Sequence, residues 1–396
     1  MLQDGSTQLL CLTASSGVPL FIRGGFSRQL PFSVIGSLNG VHMFGGGQGA
    51  LLSCCETEDG GRIVWRVFQD SVMLIAVCSS GRSGSCSSSS SSSREMQMRL
   101  QRLLENVWSC MVLVLGQDEL VHVRNVERLK KDLRSCFGLI DQLIEDRQEG
   151  LLGNLTHCAD SLLPPDPSLL QEAVDGFTEA ADSEFGCLIV HGRIVTATEK
   201  WWRLAPVEIV LLLALLLPGA DVCVLCGPTP SLHKVEAQLL SRFWLPLVDT
   251  LRDCLDVGER CFPGAVPLRP DVLALLLINR DTRRSVSCAQ SSSCPSLPKA
   301  RRWELLKLFY IFTVSHYFSQ EEASEETDQK DAAADFLLGF SHQPQHCYLV
   351  MDECKSYGLQ TPQHQLYLLL APSVPTYALR TIAMQTLSDI RAATKF

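Results

Sequence analysis

Several stretches of the 396-residue chain bring together residue types that could do chemistry. Gly45-Gly46-Gly47-Gln48-Gly49 is dense in glycine, as a phosphate cradle is. No Lys-Ser/Thr pair follows it, so the cation and hydroxyl that hold nucleotide phosphates and Mg²⁺ are missing. Ser37 lies in Gly36-Ser37-Leu38-Asn39-Gly40, which does not have the spacing of a hydrolase elbow. Cys223 and Cys226 form a Cys-x-x-Cys inside an apolar, strand-like run, and no second such pair completes a zinc site. His342 and His346 have i,i+4 spacing, but Pro344 between them opposes the helix that would align their rings. The acids from Glu321 to Asp331 read as a solvated loop. Arg128, Lys130, Lys131 and Arg134 suit an acidic partner or a phosphate, although Glu127 and Asp132 are close enough to pair with them on a solvated face. These readings lead to no catalytic, metal or cofactor-binding residue, and a non-enzyme is expected.

The stretch Gln29–Phe44, QLPFSVIGSLNGVHMF, has no charged residue. Pro31, Val34, Ile35, Leu38 and Val41 recur at helical spacing and predict one apolar face, with His42 beside it. Pro31 suits a first helical turn, where no amide donor is needed. The other face carries Ser33, Gly36 and Gly40, flanked by Phe32, Met43 and Phe44. Each interior Gly costs about 1 kcal/mol against Ala, so this helix depends on packing. A helix that is apolar all round is covered all round. Two coverings are open: a single large core, or a sheet on one side and a partner protein on the other. In the second, Phe32, Ser33, Gly36, Ser37, Gly40 and Met43 form the partner face.

Composition sets the frame. Apolar residues make up 46% of the chain and charged residues 19%, which fits a globular protein long enough for two or three domains. A net charge of −9 argues against nucleic-acid binding. The N-terminal MLQDGSTQ has no basic and apolar block of a secretory signal. Ile209–Leu217 is too short to cross a bilayer, which takes about 20 residues. The expectation is a soluble intracellular protein. Its 17 cysteines are read as reduced thiols, because many lie in apolar runs and the number is odd.

Element order then supplies the architecture. Leu9–Thr13 and Val18–Arg23 form a hairpin, the uncharged helix follows, and Ala50–Cys55, Arg62–Phe68 and Val72–Ser79 are strands. Residues 81–93 are a Ser-rich low-complexity loop. Glu95–Leu115 and Val126–Asp146 are helices. The pattern restarts after a Pro-rich linker at Leu163–Asp166, with a helix at Ser168–Ala181. Strands at Gly186–His191 and Arg193–Ala197 follow, then an apolar helix at Val207–Leu217, a strand at Val222–Cys226, and a helix at Ser231–Leu255 kinked at Pro246. A third round has strands at Val272–Asn279 and Ser285–Cys288, a helix at Trp303–Phe318, and an acidic loop at 319–334. Strands at Cys347–Asp352 and Gln365–Ala371 and a helix at Pro375–Ala392 complete it. The expected fold class is α+β: three units, at 1–148, 149–262 and 263–396, each an antiparallel sheet of up to five strands with helices on both faces.

LPFSVIGSLNGVHMF (30–44), RNVERLKKDLRSCFGLID (124–141), SLLQEA (168–173), ATEKWWRL (197–204) and LCGPTPSL (225–232) resemble the Fuzzy family of planar-cell-polarity effectors. Proteins of that family have three longin-like domains. The likeness implies a subunit that pairs with an Inturned-like tri-longin partner and joins a WD-repeat protein. It also implies nucleotide exchange on a Rab-family GTPase, and transport to the cilium from basal bodies in the cytoplasm and cytoskeleton. The alternative is a non-catalytic scaffold for ciliary effectors. A peripheral membrane contact is compatible with either, and a nucleotide-exchange subunit needs no nucleophile or base. One departure stands out. A longin sheet needs two strands between Val207–Leu217 and Val222–Cys226, where this chain has only Pro218–Asp221 and the family has several tens of residues. The second domain is therefore expected to lack strands.

Overall fold

Apolar side chains that alternate along a strand reach both faces of a sheet, and the first sheet uses both. The computed structural model describes residues 7–24, 30–50, 52–58, 61–78, 89–145, 151–203, 212–217, 219–225, 235–290, 297–318, 344–394 and 396. The acidic loop 319–334, the first part of the Ser-rich loop, His342 and Cys226 lie outside them. Two compact units are present, one built from Met1–Gln148 with Arg203–Val210 and the other from Glu149–Trp202 with Leu211–Phe396.

In the first unit β1 (Thr7–Thr13), β2 (Pro19–Gly24), α1 (Phe32–Gly47), β3 (Cys54–Glu56), β4 (Arg62–Phe68) and β5 (Val72–Cys78) follow the expected order. The antiparallel sheet runs β2-β1-β5-β4-β3. Leu10 and Leu12 face Ile35 and Leu38 of α1, together with Ile63, Trp65, Met73 and Ile75. Leu9 and Cys11 face the other way, into a core with Leu74, Leu104, Met111, Leu133 and Ile140. This second core is closed by α2 (Ser89–Leu115), α3 (Gln117–Val121), α4 (Val126–Asp132) and α5 (Phe137–Glu145).

Two expectations change here. The loop expected over 81–93 gives way to helix at Ser89, because α2 extends back through serines that no Pro or Gly interrupts. The helix expected over Val126–Asp146 is divided by a 3₁₀ turn at Leu133–Cys136, which buries both Leu133 and Cys136. Its last part is tied to β2 by Arg23, whose Nε donates to Asp141 Oδ1 at 2.9 Å and whose guanidinium lies 4.6 Å from the Phe137 ring centre.

The second unit holds two sheets. Its opening elements are α6 (Gly153–Thr156), β6 (Ala159–Asp160), α7 (Pro167–Ala180), β7 (Gly186–Val190) and β8 (Arg193–Ala197). Next come β9 (Leu212–Leu217) and β10 (Ala220–Val224). The first of the two sheets runs β8-β7-β10-β9. The helix expected at Val207–Leu217 is thus corrected, since Leu212–Leu217 is a strand paired with β10 from Leu212↔Val224 to Leu217↔Ala220. The physical cause is the short connection. Gly219, at φ +89°, turns the chain straight back, and a helix could not offer β10 the hydrogen bonds of its open edge. The expected kink at Pro246 is present as a break. A π-helical turn, Val235–Leu240, and α8 (Ser241–Phe243) end at Trp244, a 3₁₀ turn holds Pro246, and α9 (Val248–Val257) resumes.

The last sheet runs β13-β14-β15-β11-β12-β6. Its own strands are β11 (Val272–Asn279), β12 (Arg284–Ala289), β13 (His346–Val350), β14 (Lys355–Gln360) and β15 (His364–Leu370). Its helices are α10 (Lys299–His316) and α11 (Leu379–Ala393). β14 was not expected, because Lys355, Gly358 and Gln360 look unlike a strand. A Cβ at Gly358 would make ordinary contacts with Phe318, Thr313 and Phe309 at 3.4 to 3.6 Å, so the glycine is compatible with the strand without being required by it.

β6 joins the two sheets. Ala159 N–H donates to Arg283 O at 2.9 Å and Ser161 N–H to Ser285 O at 2.7 Å, both on the β12 side, while Leu162 N–H donates to Ile194 O of β8 at 3.0 Å. Asp160 accepts from the amides of Leu152 and Gly153 at 3.2 and 2.7 Å. Arg284 lies between Trp202 and Phe396, 4.8 and 5.6 Å from their ring centres.

Candidate partner-binding face

α1 begins after Pro31 and has no acid in its first turn and no base in its last. Only Ile35 and Leu38 are buried on it, and His42 and Gly45 continue the same arc half-buried. The Nε1–H of buried Trp65 donates to Leu38 O at 3.2 Å and holds the helix on β4. Val34 and Val41, expected on the sheet side with Pro31, are exposed instead. Val34 lies one 100° step before Ile35 and Val41 three residues after Leu38, and both offsets take them off the narrow seam.

The opposite arc is uncovered among the described residues. Phe32 is 77% exposed, Phe44 72%, Val41 54% and Met43 51%. Ser33, Gly36, Ser37 and Gly40 lie between them and are exposed too, so all six residues expected on a partner face reach solvent. A Cβ built on Gly36 or Gly40 would meet nothing within 4 Å. The glycines are therefore not required by the fold of this unit. Gly45 differs, because a Cβ there would come within 3.1 Å of Ala50 O in the turn that ends the helix. The helix in the corresponding position of the last sheet, α10, buries Trp303, Leu306, Phe309, Tyr310 and Ile311. Phe309 and Tyr310 pack edge-on against Tyr367, 6.2 and 5.1 Å between ring centres. Of these two helices, α1 is the one with an uncovered apolar arc among the described residues.

The chemical candidates are not brought together. Ser37 Oγ–H donates to Ser33 O at 2.9 Å, a bond within the helix, so no base holds it. The turn 45–49 forms the end of α1 and carries no cation. Among the described residues no three His, Cys, Asp or Glu side chains are placed to hold a metal. His346 Nδ1 meets Tyr357 OH at 2.9 Å, and burial, then Arg380, hold its pKa below the usual imidazole range. In the basic cluster, Lys130 pairs with Glu127 at 2.7 Å and Arg128 with Asp132 at 3.5 Å, as a solvated helix face would. Of these four, Arg128 and Asp132 border an open cleft of about 460 Å³ between α3 and α4, which also takes in Asp118, Glu119, His122 and Arg124. No helix among the described residues is long and apolar enough to cross a membrane.

Three family models match, described as the first, second and third longin domains of FUZ, MON1 and HPS1, over residues 7–143, 181–217 and 271–394. A protein fuzzy homolog of Xenopus tropicalis is 44% identical to the chain, with 98% of each covered. The chain belongs to the Fuzzy family. The human protein fuzzy homolog is 41% identical with 97% of each covered, and the rat homolog 40% with 98%. The fold is thereby that of three longin domains, α+β as expected. The alignments run over 426 positions against a chain of 396 residues, so these Fuzzy proteins carry residues that this one lacks. The second longin model stops at Leu217, the last residue of β9, just where the connection to β10 is short.

Proposed function

We propose that this chain is the partner-binding subunit of a tri-longin heterodimer, seating an Inturned-like protein on the exposed arc of α1. The observation that carries the reading is the uncharged arc Phe32–Phe44, with two large aromatic side chains at its ends and two glycines between them that the fold does not need. An apolar patch rimmed by polar surface marks a docking site, and small residues let another backbone approach closely. A longin-like partner offers the matching element, an apolar helix or sheet face without charge.

The pair, with a WD-repeat subunit, acts on a Rab-family GTPase and supports cilium biogenesis and transport at the basal body. Exchange requires no nucleophile: a surface that binds the nucleotide-free GTPase more tightly than the loaded form shifts the equilibrium toward release. The absence of a catalytic grouping among the described residues is compatible with that mechanism. The test is nucleotide release from a ciliary Rab, followed by fluorescence, with this chain and its partner co-purified. Faster release with the pair than with either subunit supports the reading. Unchanged release with an intact assembly leaves a scaffold in its place.

A further inference from the structure

The cleft between α3 and α4 is bordered by opposite charges that do not meet. Gly116, at φ +84°, turns the chain from α2 into α3. Leu120 of α3 and Leu129 of α4 are buried in the core beneath. Asn125 Oδ1 accepts from Arg128 N–H at 3.1 Å and caps α4. Both walls of the cleft, about 460 Å³ in volume, are thereby fixed from below.

Asp118 and Glu119 stand on the α3 side, Arg124 follows in the link, and Arg128 stands on α4. Arg128 has Asp132 at 3.5 Å. The side chains of Asp118, Glu119 and Arg124 stay unpaired among the described residues, and so do those of Lys131 and Arg134 further on. The two acids and Arg124 border one cleft and make no ion pair across it. Arg128, Lys131 and Arg134 recur at three-residue intervals, which runs them along one side of α4 and of the 3₁₀ turn after it.

These charges define the occupant. It must be basic where it meets Asp118 and Glu119 and acidic from Arg124 onward. A phosphate headgroup meets only the second requirement, and the two carboxylates repel it. A small molecule would find little cover, since Val123 and Leu129 are the apolar members of the lining. A protein segment carries both signs on one backbone. On a chain of net charge −9, a local row of cations steers such a segment to this place.

We propose that the α3–α4 cleft docks a protein segment with a basic residue at one end followed by acidic residues at helical spacing. The base lies against Asp118 and Glu119. One carboxylate accepts two parallel N–H groups from the Arg124 guanidinium, and the later acids run along Arg128 and Lys131. This surface lies on the other side of the first sheet from α1 and does not depend on what α1 binds.

The test uses the full-length chain and two fluorescein-labelled synthetic peptides in an alanine background. One carries a terminal Lys followed by Glu at i,i+3 and i,i+4 spacing, and in the other every charge is inverted. Anisotropy titrations at low salt should show the Lys-then-Glu peptide bound at least about tenfold more tightly than its inverse, with the difference eroded by added NaCl. Arg124→Glu with Lys131→Glu should abolish the preference without changing the melting temperature, because both side chains are exposed and unpaired. Adding Asp118→Lys and Glu119→Lys to that variant should turn the preference toward the inverted peptide. Equal binding of the two peptides by the wild-type chain, or binding of neither, would overturn the proposal. So would a preference that survives Arg124→Glu with Lys131→Glu, or displacement of the peptide by inorganic phosphate or by phosphatidylcholine vesicles containing a phosphatidylinositol phosphate.

Discussion

The indole of Trp65 reaches out of the first sheet and donates to the carbonyl of Leu38, 3.2 Å away, beneath the middle of α1. Among the described residues, that hydrogen bond and the buried side chains of Ile35 and Leu38 seat a helix weakened by internal glycines. Trp65→Phe keeps an aromatic ring but removes the donor and part of the buried indole. It should cost at least about 1 kcal/mol, the lost hydrogen bond plus the void left behind. Thermal unfolding of the purified chain would show the lower midpoint, while partner association at low temperature should persist. Ile35→Ala should cost more, about 2–4 kcal/mol, because it opens a cavity under the helix.

A second expectation concerns fragments. β6 hydrogen-bonds to β12 on one side, and the chain just after it to β8 on the other, so the second and third longin domains share a strand. A fragment of residues 149–396 should unfold in one cooperative transition. A fragment of 263–396 lacks β6 and exposes the edge of β12, which invites association between chains. Size-exclusion chromatography should show it self-associating or unfolding at lower temperature than the longer fragment. Equal stability of the two would show that the shared strand is dispensable.

Asp160 gives a pH dependence. Burial pushes its carboxyl above the usual range, against hydrogen bonds from Gly153, Leu152 and Ser285 and the charge of Arg193, which pull it down. A carboxyl whose pKa is higher folded than unfolded binds its proton more tightly in the folded state. Its stabilising contribution is fully present below the unfolded pKa and is lost as pH rises through the folded one. Relative to Asp160→Asn, the wild-type chain should therefore gain stability as pH is lowered from neutral toward the raised pKa. Melting temperatures of the two proteins across that range would show the difference, and parallel curves would contradict the assignment.

Much of this fold could be read from the sequence where local pattern and tertiary packing agree. The strand β4 has the expected ends, and the hairpin β1–β2, the strand β5 and the helix α7 lie within one or two residues of theirs. The reading failed where context overrode pattern. The Leu-rich stretch Leu212–Leu217 reads equally as helix or strand, and only the short turn at Gly219 and the open edge of β10 select the strand. β14 was missed: Lys355–Gln360 has only two large apolar residues, Tyr357 and Leu359, and its place is set by pairing with β13 and β15. β6 is two residues long and shows no period at all. For the candidate face, the absence of charge and the two glycines were visible in the sequence. The exposure of Val34 and Val41 was not, because it depends on which residues of a helix apolar on every side meet the sheet.

The central claim is that the exposed arc of α1 meets a partner, and Gly36→Leu and Gly40→Leu test it most directly. Nothing lies within 4 Å of a Cβ at either position, so neither change should disturb the isolated chain. Each should keep or raise the melting temperature, since replacing an interior helix glycine gains up to about 1 kcal/mol. Co-expression with a tagged Inturned-like partner, followed by pull-down and titration, should show affinity reduced at least about tenfold, a loss of roughly 1.4 kcal/mol. Variants that bind the partner normally but melt at a lower temperature would contradict the account and place α1 in a core.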